Sequence, residues 1–316
     1  MSPSAALESE VFRSYLLMLT CLLVAGAAVL AVLTWVFKKN LRSIWGEYRS
    51  SLILAPTFLG CVFLGRYAPV VLLTLVAFLG FKEFARATGL YRDWWITGGV
   101  YLGIISVAVA SLVTDPNTGH TGWYGLFMAL PVFVVAFLLL IPIVRNQPTG
   151  QLQQLCLGIV GFVCIGWMFG HFQFLTTAAD NPYGYLLYLA FAVPVNDIAA
   201  FIFDRLLGRH PFRSNISARK TWEGFLGALA VSMIMPWLLW FSFPLFGVPQ
   251  RILTGVIVGI GGPLGDLAIG VIKRDLGIKE MGAVIPGHGG ILNRVDSLVY
   301  VAPLFLHMAD YALTLW

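Results

Sequence analysis

Residues 286–296 read PGHGGILNRVD: three glycines, a histidine, an arginine and a carboxylate within eleven residues, set among almost continuously apolar neighbours. That contrast decides the fold. Of the 316 residues, 59% are hydrophobic and 11% charged, less than half of the roughly 25% usual in a soluble globular protein. Mean hydropathy is +0.84. The apolar residues gather into runs of about twenty, the length at which a helix crosses the roughly 30 Å hydrocarbon core of a bilayer. The first run, Tyr15 to Phe37, lacks a short apolar core followed by a small-residue cleavage site. It therefore reads as a span rather than a removed signal peptide. A polar, glycine-rich segment in such a chain has to lie outside the lipid or line a cavity inside it.

The expected fold class is all-α: a polytopic transmembrane helical bundle of about ten membrane segments. They fall near residues 15–37, 51–64, 67–81, 96–114, 123–144, 152–175, 183–203, 224–246, 252–272 and 297–316. The second and third are short and split by Arg66, so they also read as a hairpin dipping into the membrane, and eight to ten crossings is the range. Charge tests the alternation. Connections on one side carry 17 of the 20 Lys and Arg, and the other side keeps Arg13, Arg66 and Arg251. Basic residues stay cytoplasmic, which places both termini outward and loops 204–223 and 273–296 inside. The chain divides into an N-terminal transmembrane region, 1–180, and a C-terminal region, 181–316, that carries these two loops. The four cysteines, Cys21, Cys61, Cys156 and Cys164, lie in apolar runs without a CxxC, so neither a disulfide framework nor a zinc site is read.

Two segments align without gaps: PVNDIAAFIFDRLLG, residues 194–208, and PLGDLAIGVIKRDLG, residues 263–277. They are either a repeated membrane segment or a chance likeness of apolar runs. In both, an Asp (Asp197, Asp266) precedes an Arg by eight residues, about 12 Å of helix. Each carboxylate then sits inside the membrane, where it costs several kcal/mol unless paired, hydrated or bound to a cation. Asn196 adds a neutral oxygen beside Asp197, and Asp296 sits where the polar loop meets the last span.

Lys220, Lys273, Arg274, Lys279 and Arg294 surround these acids, and ISARKTWEG, residues 216–224, offers Ser217, Lys220 and Thr221 as phosphate or base contacts. Trp222 also reads as an interfacial anchor, and Glu223 as an acid at a helix start. Acids and bases at one site suit a phosphorylated substrate held with a divalent cation. Mg²⁺ characteristically takes one or two carboxylates plus substrate phosphates, while Lys and Arg neutralise the remaining oxygens. In GHGG the backbone N–H groups of Gly287, His288, Gly289 and Gly290 can form an anion-binding nest. A plain turn between helices is the other reading.

Residues 270–296, GVIKRDLGIKEMGAVIPGHGGILNRVD, resemble the signature of the CDP-diacylglycerol synthases, the phosphatidate cytidylyltransferases: S-x-x-K-R-x₄-K-D, a P-G-H-G-G turn, then x-x-D-R-x-D. Lys273, Arg274, Lys279, the turn at 286–290, Arg294 and Asp296 match, as do the preceding GDL and the upstream ND…GRH…IS..KTWEG. The likeness covers about residues 190–300, with FKEFARATGL, residues 81–90, a weaker echo. Gly270 replaces the signature serine, Glu280 an aspartate, and Asn293 the aspartate before Arg294.

The resemblance implies cytidylyl transfer from CTP to phosphatidate, giving CDP-diacylglycerol and pyrophosphate, at a cytoplasm-facing site of a bacterial inner membrane. Expected partners are CTP, phosphatidate or a related lipid phosphate, and membrane lipids, with a homodimer allowed and nucleic acid not expected. The expected cofactor is Mg²⁺, with room for a second cation, held by Asp266, Asp296, Asn196 and Asp197, and by Asn293 as a weakened ligand. Asp266, Asp296, Lys273 and Arg294 are the expected catalytic set. Ser217, Lys220, Thr221, Arg274, Lys279 and the glycine turn would bind substrate. A CTP-dependent enzyme acting on another lipid phosphate or a polyprenol, and a non-catalytic lipid-binding relative, are the alternatives.

Overall fold

The computed structural model describes residues 1–35, 42–217, 219–282 and 289–313, and the fold is all-α. The helices run α1 Pro3–Glu8, α2 Glu10–Trp35, α3 Arg42–Phe63, α4 Tyr67–Ala87, α5 Trp94–Leu112, α6 Tyr124–Arg145, α7 Gln151–Gly161, α8 Gly170–Phe174, α9 Pro182–Leu207, α10 Trp222–Leu238, α11 Val248–Asp275 and α12 Leu292–Leu313. A π-helical stretch, Phe162–Met168, joins α7 to α8, so that residues 151–177 form one long apolar rod.

Local chemistry fixes where the helices start. Asp93 accepts from Trp95 N and Ile96 N at 3.1 and 3.3 Å, and its other oxygen pairs with Arg145 at 2.7 Å, tying the start of α5 to the end of α6. Asn181 caps α9 by accepting from Gly184 N at 2.9 Å, with Pro182 at the first helical position. Both devices satisfy N–H groups that a helix start leaves without intrahelical partners.

Among the described residues, seven helical segments are long and apolar enough to cross a membrane: 10–32, 67–87, 94–112, 124–145, 151–177, 182–207 and 248–275. Two shorter apolar helices, Tyr48–Phe63 and Trp222–Leu238, accompany them. The chain is an integral membrane protein.

Three of the expected segments differ. The one expected at 224–246 is the shorter helix Trp222–Leu238, because the chain turns at Trp240–Ser242. The run expected at 67–81 extends to Ala87 and is long enough to cross. Hydropathy stops at Lys82 and Glu83, yet the helix continues because Glu83 is only 4% exposed and hydrogen-bonded inside the protein. The last helix, α12, carries Arg294, Asp296, His307 and Asp310 and falls short of the apolar standard of a span. Its residues from Asp296 to Val299 and from Val301 to Pro303 are buried in the bundle, so protein rather than lipid surrounds that face.

Helix α11 lies among three neighbours, and glycines form its contacts. Gly255 and Gly259 abut Met233 and Leu229 of α10, Gly261 abuts Val301 of α12, Gly265 abuts the α12 backbone at Asp296 and Ser297, and Gly262 abuts Asn196 of α9. Small residues allow this backbone approach, which is how helices associate tightly where lipid supplies no hydrophobic drive.

A Cβ at Gly265 would lie 2.9 Å from the Ser297 Cα. Gly265→Val should therefore force α11 and α12 apart and cost about 1–3 kcal/mol by overpacking. The readout is the thermal unfolding midpoint in detergent. Gly98→Ala, at a position with no atom within 4 Å, should leave the midpoint unchanged or raise it. Equal midpoints for both variants would refute the packing role.

Candidate functional site

The acids come from three helices. Asp197 lies ten residues before the end of α9 and Asp266 nine before the end of α11, about 14–15 Å along each helix axis. Asp296 lies in the first turns of α12 and is 6% exposed. Asp197 and Asp296 each interact electrostatically with Asp266 and with one another, so the three carboxylates face a common region. The Ser297 hydroxyl donates to Asp197 at 3.3 Å, and Ser297 N donates to Asp296 at 2.9 Å. Asp197 and Asp266 remain accessible although they sit within long apolar helices; the Asp266 side chain is 39% exposed. Asp266 lines a cleft, and access to water there removes much of the cost of a charge at that depth.

Basic groups meet these acids. Lys220 Nζ pairs with Asp266 Oδ2 at 2.5 Å. Lys273 Nζ donates to Asn293 Oδ1 at 3.1 Å, and Arg294 interacts electrostatically with Asp197. Ser217, Asp266, Gly270, Lys273, Arg274 and Lys279 line a cleft of about 80 Å³. Arg274 Nε donates to Ile216 O at 3.0 Å, closing the loop after α9 over this cleft. Gly270 faces Ile216, whose side chain lies 3.1 Å from where a Cβ would stand.

Two expected site residues are engaged in holding the fold. Thr221 caps α10: its hydroxyl donates to Asp204 at 2.7 Å and accepts from Gly224 N at 3.1 Å. Asn196 is fully buried and its amide NH₂ donates to Ala228 O and Ser232 Oγ of α10 at 3.3 and 2.8 Å. Its Oδ1 has no hydrogen-bond partner among the described residues. Asn293 bridges Lys273 and Glu280, its NH₂ donating to the glutamate carboxylate. Gly289 takes a left-handed φ of 75°, a conformation that favours glycine. Gly287 and His288 lie outside the described residues.

The sequence reading missed Glu83. This α4 carboxylate accepts from Ile291 N and Leu292 N, each at 3.0 Å, capping α12 from the N-terminal half of the chain. Gly282, before the glycine turn, and Gly290, its last residue, both abut the Glu83 side chain. Its signal was a lone acid in the weaker echo FKEFARATGL. Asp204 and Glu223 were not read as loop anchors either. Asp204 also accepts from Thr221 N at 2.8 Å, and Glu223 accepts from Arg209 N and His210 N at 3.1 and 3.2 Å.

The donor set bears on a cation. Among the described residues no three His, Cys, Asp or Glu side chains form a ready metal cage. Asp266 lines the cleft, with Asp197 and Asp296 of two other helices near it, and so few carboxylates suit a hard cation whose coordination is completed by water and substrate oxygens. The residues present fit Mg²⁺ in that sense.

Helices long and apolar enough to cross a membrane, with acids and bases from different helices brought near one another, define a polytopic membrane protein with a charged cluster inside its helical bundle. The model of the cytidylyltransferase family matches residues 47–312, and the chain belongs to that family. It is 35% identical over 205 residues to the phosphatidate cytidylyltransferase of Staphylococcus haemolyticus, covering 64% of this chain and 76% of that protein. It is also 35% identical over 207 residues to the Staphylococcus aureus (strain COL) phosphatidate cytidylyltransferase, with the same coverage. The uncharacterized protein YnbB of Escherichia coli K12 is 27% identical over 252 residues, 78% of this chain and 80% of YnbB.

Glu83→Ala should strand two N–H groups at the start of α12 and lower stability by about 2 kcal/mol or more. Glu83→Gln, which keeps one acceptor, should lose less. Thermal unfolding in detergent measures both, and an unshifted midpoint for the alanine variant would contradict the capping role.

Proposed function

We propose that this protein transfers a cytidylyl group from CTP to phosphatidate, releasing pyrophosphate and forming CDP-diacylglycerol at the cytoplasmic face of a bacterial inner membrane. The observation that carries this reading is the convergence of Asp266, Asp197 and Asp296 with Lys220, Lys273 and Arg294 in a family member whose lysine, arginine and glycine-turn motif is kept. The concentration of basic residues in the loops on one side supports the orientation.

In the reaction a phosphate oxygen of the lipid attacks the α-phosphorus of CTP. The bond from that phosphorus to the bridging oxygen breaks, and pyrophosphate leaves with the electron pair. Two anions have to approach, so positioning and electrostatic stabilisation dominate. Lys273, Arg274 and Lys279 bind the triphosphate from one wall of the cleft, with Ser217 opposite. Lys220, paired with Asp266 before substrate arrives, exchanges that carboxylate for a phosphate oxygen. Asp266, Asp296 and Asp197 would hold Mg²⁺ together with substrate oxygens, and the ion would supply Lewis-acid screening of the phosphate charge. Asn293 would add a neutral oxygen, and Asn196 fixes α9 against α10. Arg294 holds the lipid phosphate beside Asp197. The site would open to the cytoplasm for CTP and sideways to the bilayer for the lipid.

A second reading, another lipid phosphate or a polyprenol as acceptor, is motivated by Asn293 in place of the signature aspartate. Labelled CTP with each acceptor, followed by separation of the lipid products, distinguishes the two.

Pyrophosphate release with CTP and phosphatidate is the direct test. Asp266→Ala should reduce the rate at least 100-fold, and full activity would remove its assigned role. Asn293→Asp restores a negative charge, so half-maximal rate should need less Mg²⁺; an unchanged Mg²⁺ dependence would place residue 293 outside the cation's reach. Absence of turnover with every acceptor would leave a non-catalytic lipid-binding role.

A further inference from the structure

The loop after α9 forms a second, open pocket that the cleft chemistry does not use. Its ends are clamped: Phe212 N donates to Lys220 O at 2.7 Å, Trp222 N donates to His210 O at 3.0 Å, and Asp204 and Glu223 hold the two flanks. Inside the clamp, Arg213 has a left-handed φ of 55°, and its carbonyl accepts from Ile216 N and Ser217 N at 2.9 and 3.0 Å. A non-glycine residue held in that conformation is more common at binding sites than elsewhere. The cavity is about 400 Å³, within the range of small-molecule sites.

Its lining combines aromatic and amide chemistry. Trp222 stands edge-on to Phe212 with ring centroids 4.6 Å apart, yet the tryptophan keeps 47% of its surface exposed. The Ser214 and Asn215 side chains are exposed and have no hydrogen-bond partner among the described residues. An exposed indole gives a stacking face for a base. An asparagine amide presents a donor and an acceptor side by side, matching the edge of a pyrimidine. Ile216 belongs to this cavity and to the basic cleft alike, and Arg274 ties its carbonyl to the cleft wall.

We propose that this cavity is the nucleobase subsite: Trp222 stacks on the base, Asn215 and Ser214 hydrogen-bond its edge, and the ribose passes over Ile216 to the phosphates in the adjoining cleft. The proposal rests on the nucleotidyl-transfer reading above and adds where the nucleoside half of the substrate binds. It also assigns Trp222 to nucleotide rather than to the lipid interface.

The test compares CTP with inorganic tripolyphosphate, which shares the phosphates but lacks the base. Trp222→Leu and Asn215→Ala, made separately in the full-length protein in lipid nanodiscs with Mg²⁺, should each weaken CTP binding on the order of tenfold. Binding of tripolyphosphate and the KM for the lipid should stay unchanged. CTP affinity equal to wild type in both variants would overturn the proposal. So would a parallel loss of tripolyphosphate binding, or a shift confined to the lipid KM, which would make Trp222 a membrane anchor. A wild-type protein that binds tripolyphosphate but not CTP would refute both the subsite and the cytidylyl-transfer reading. Normal wild-type turnover with indifferent variants would remove the subsite alone.

Discussion

Backbone approach at the glycine-bearing faces of α11 is the constraint on which the rest of the C-terminal half depends. Gly255 and Gly259 seat α10, Gly261 and Gly265 seat α12, and Gly262 seats Asn196 of α9. Between helices of ordinary side chains the axes stand 8–10 Å apart; here α12 presses its backbone at Asp296 and Ser297 against Gly265. That contact lets Asp266, one residue further along α11, share a region with Asp296 and with Asp197, which the Ser297 hydroxyl steadies from α12. A wider separation would leave three isolated carboxylates in an apolar bundle, each at high cost.

The same packing explains how polar groups are tolerated in so apolar a chain. Asn196 spends its NH₂ on α10, and Glu83 spends both carboxylate oxygens on the first N–H groups of α12. These bonds lie inside the protein, where a lost partner is expensive. The accessible acids differ: Asp266 has Lys220 and an open cleft beside it. Buried groups such as Glu83 and the Asn196 amide NH₂ hold helix to helix, while Asp266 keeps an accessible side chain beside a single basic partner. The pair Asn293–Glu280 stands between these cases, since the amide is engaged by Lys273 on one side and the glutamate on the other. With Asp at 293 the same contact would set two carboxylates against each other unless a cation lay between them.

Read alone, the sequence determined the helical membrane character, the position of most apolar segments, and the family motif. It could do so because span length and lipid solubility are properties of contiguous residues, and because the lysine, arginine and glycine-turn motif is contiguous too. Tertiary structure decided everything that joins distant parts of the chain. Glu83 reaches Ile291 across 208 residues and Ser297 reaches Asp197 across 100; no local pattern encodes either. It also decided that Thr221 serves as a helix cap, that α4 continues past its charged residues, and that α12 can be polar because protein surrounds it. The physical reason is the same in each case: the free energy of a polar group in a membrane protein is set by the partners that packing brings to it, not by its neighbours along the chain.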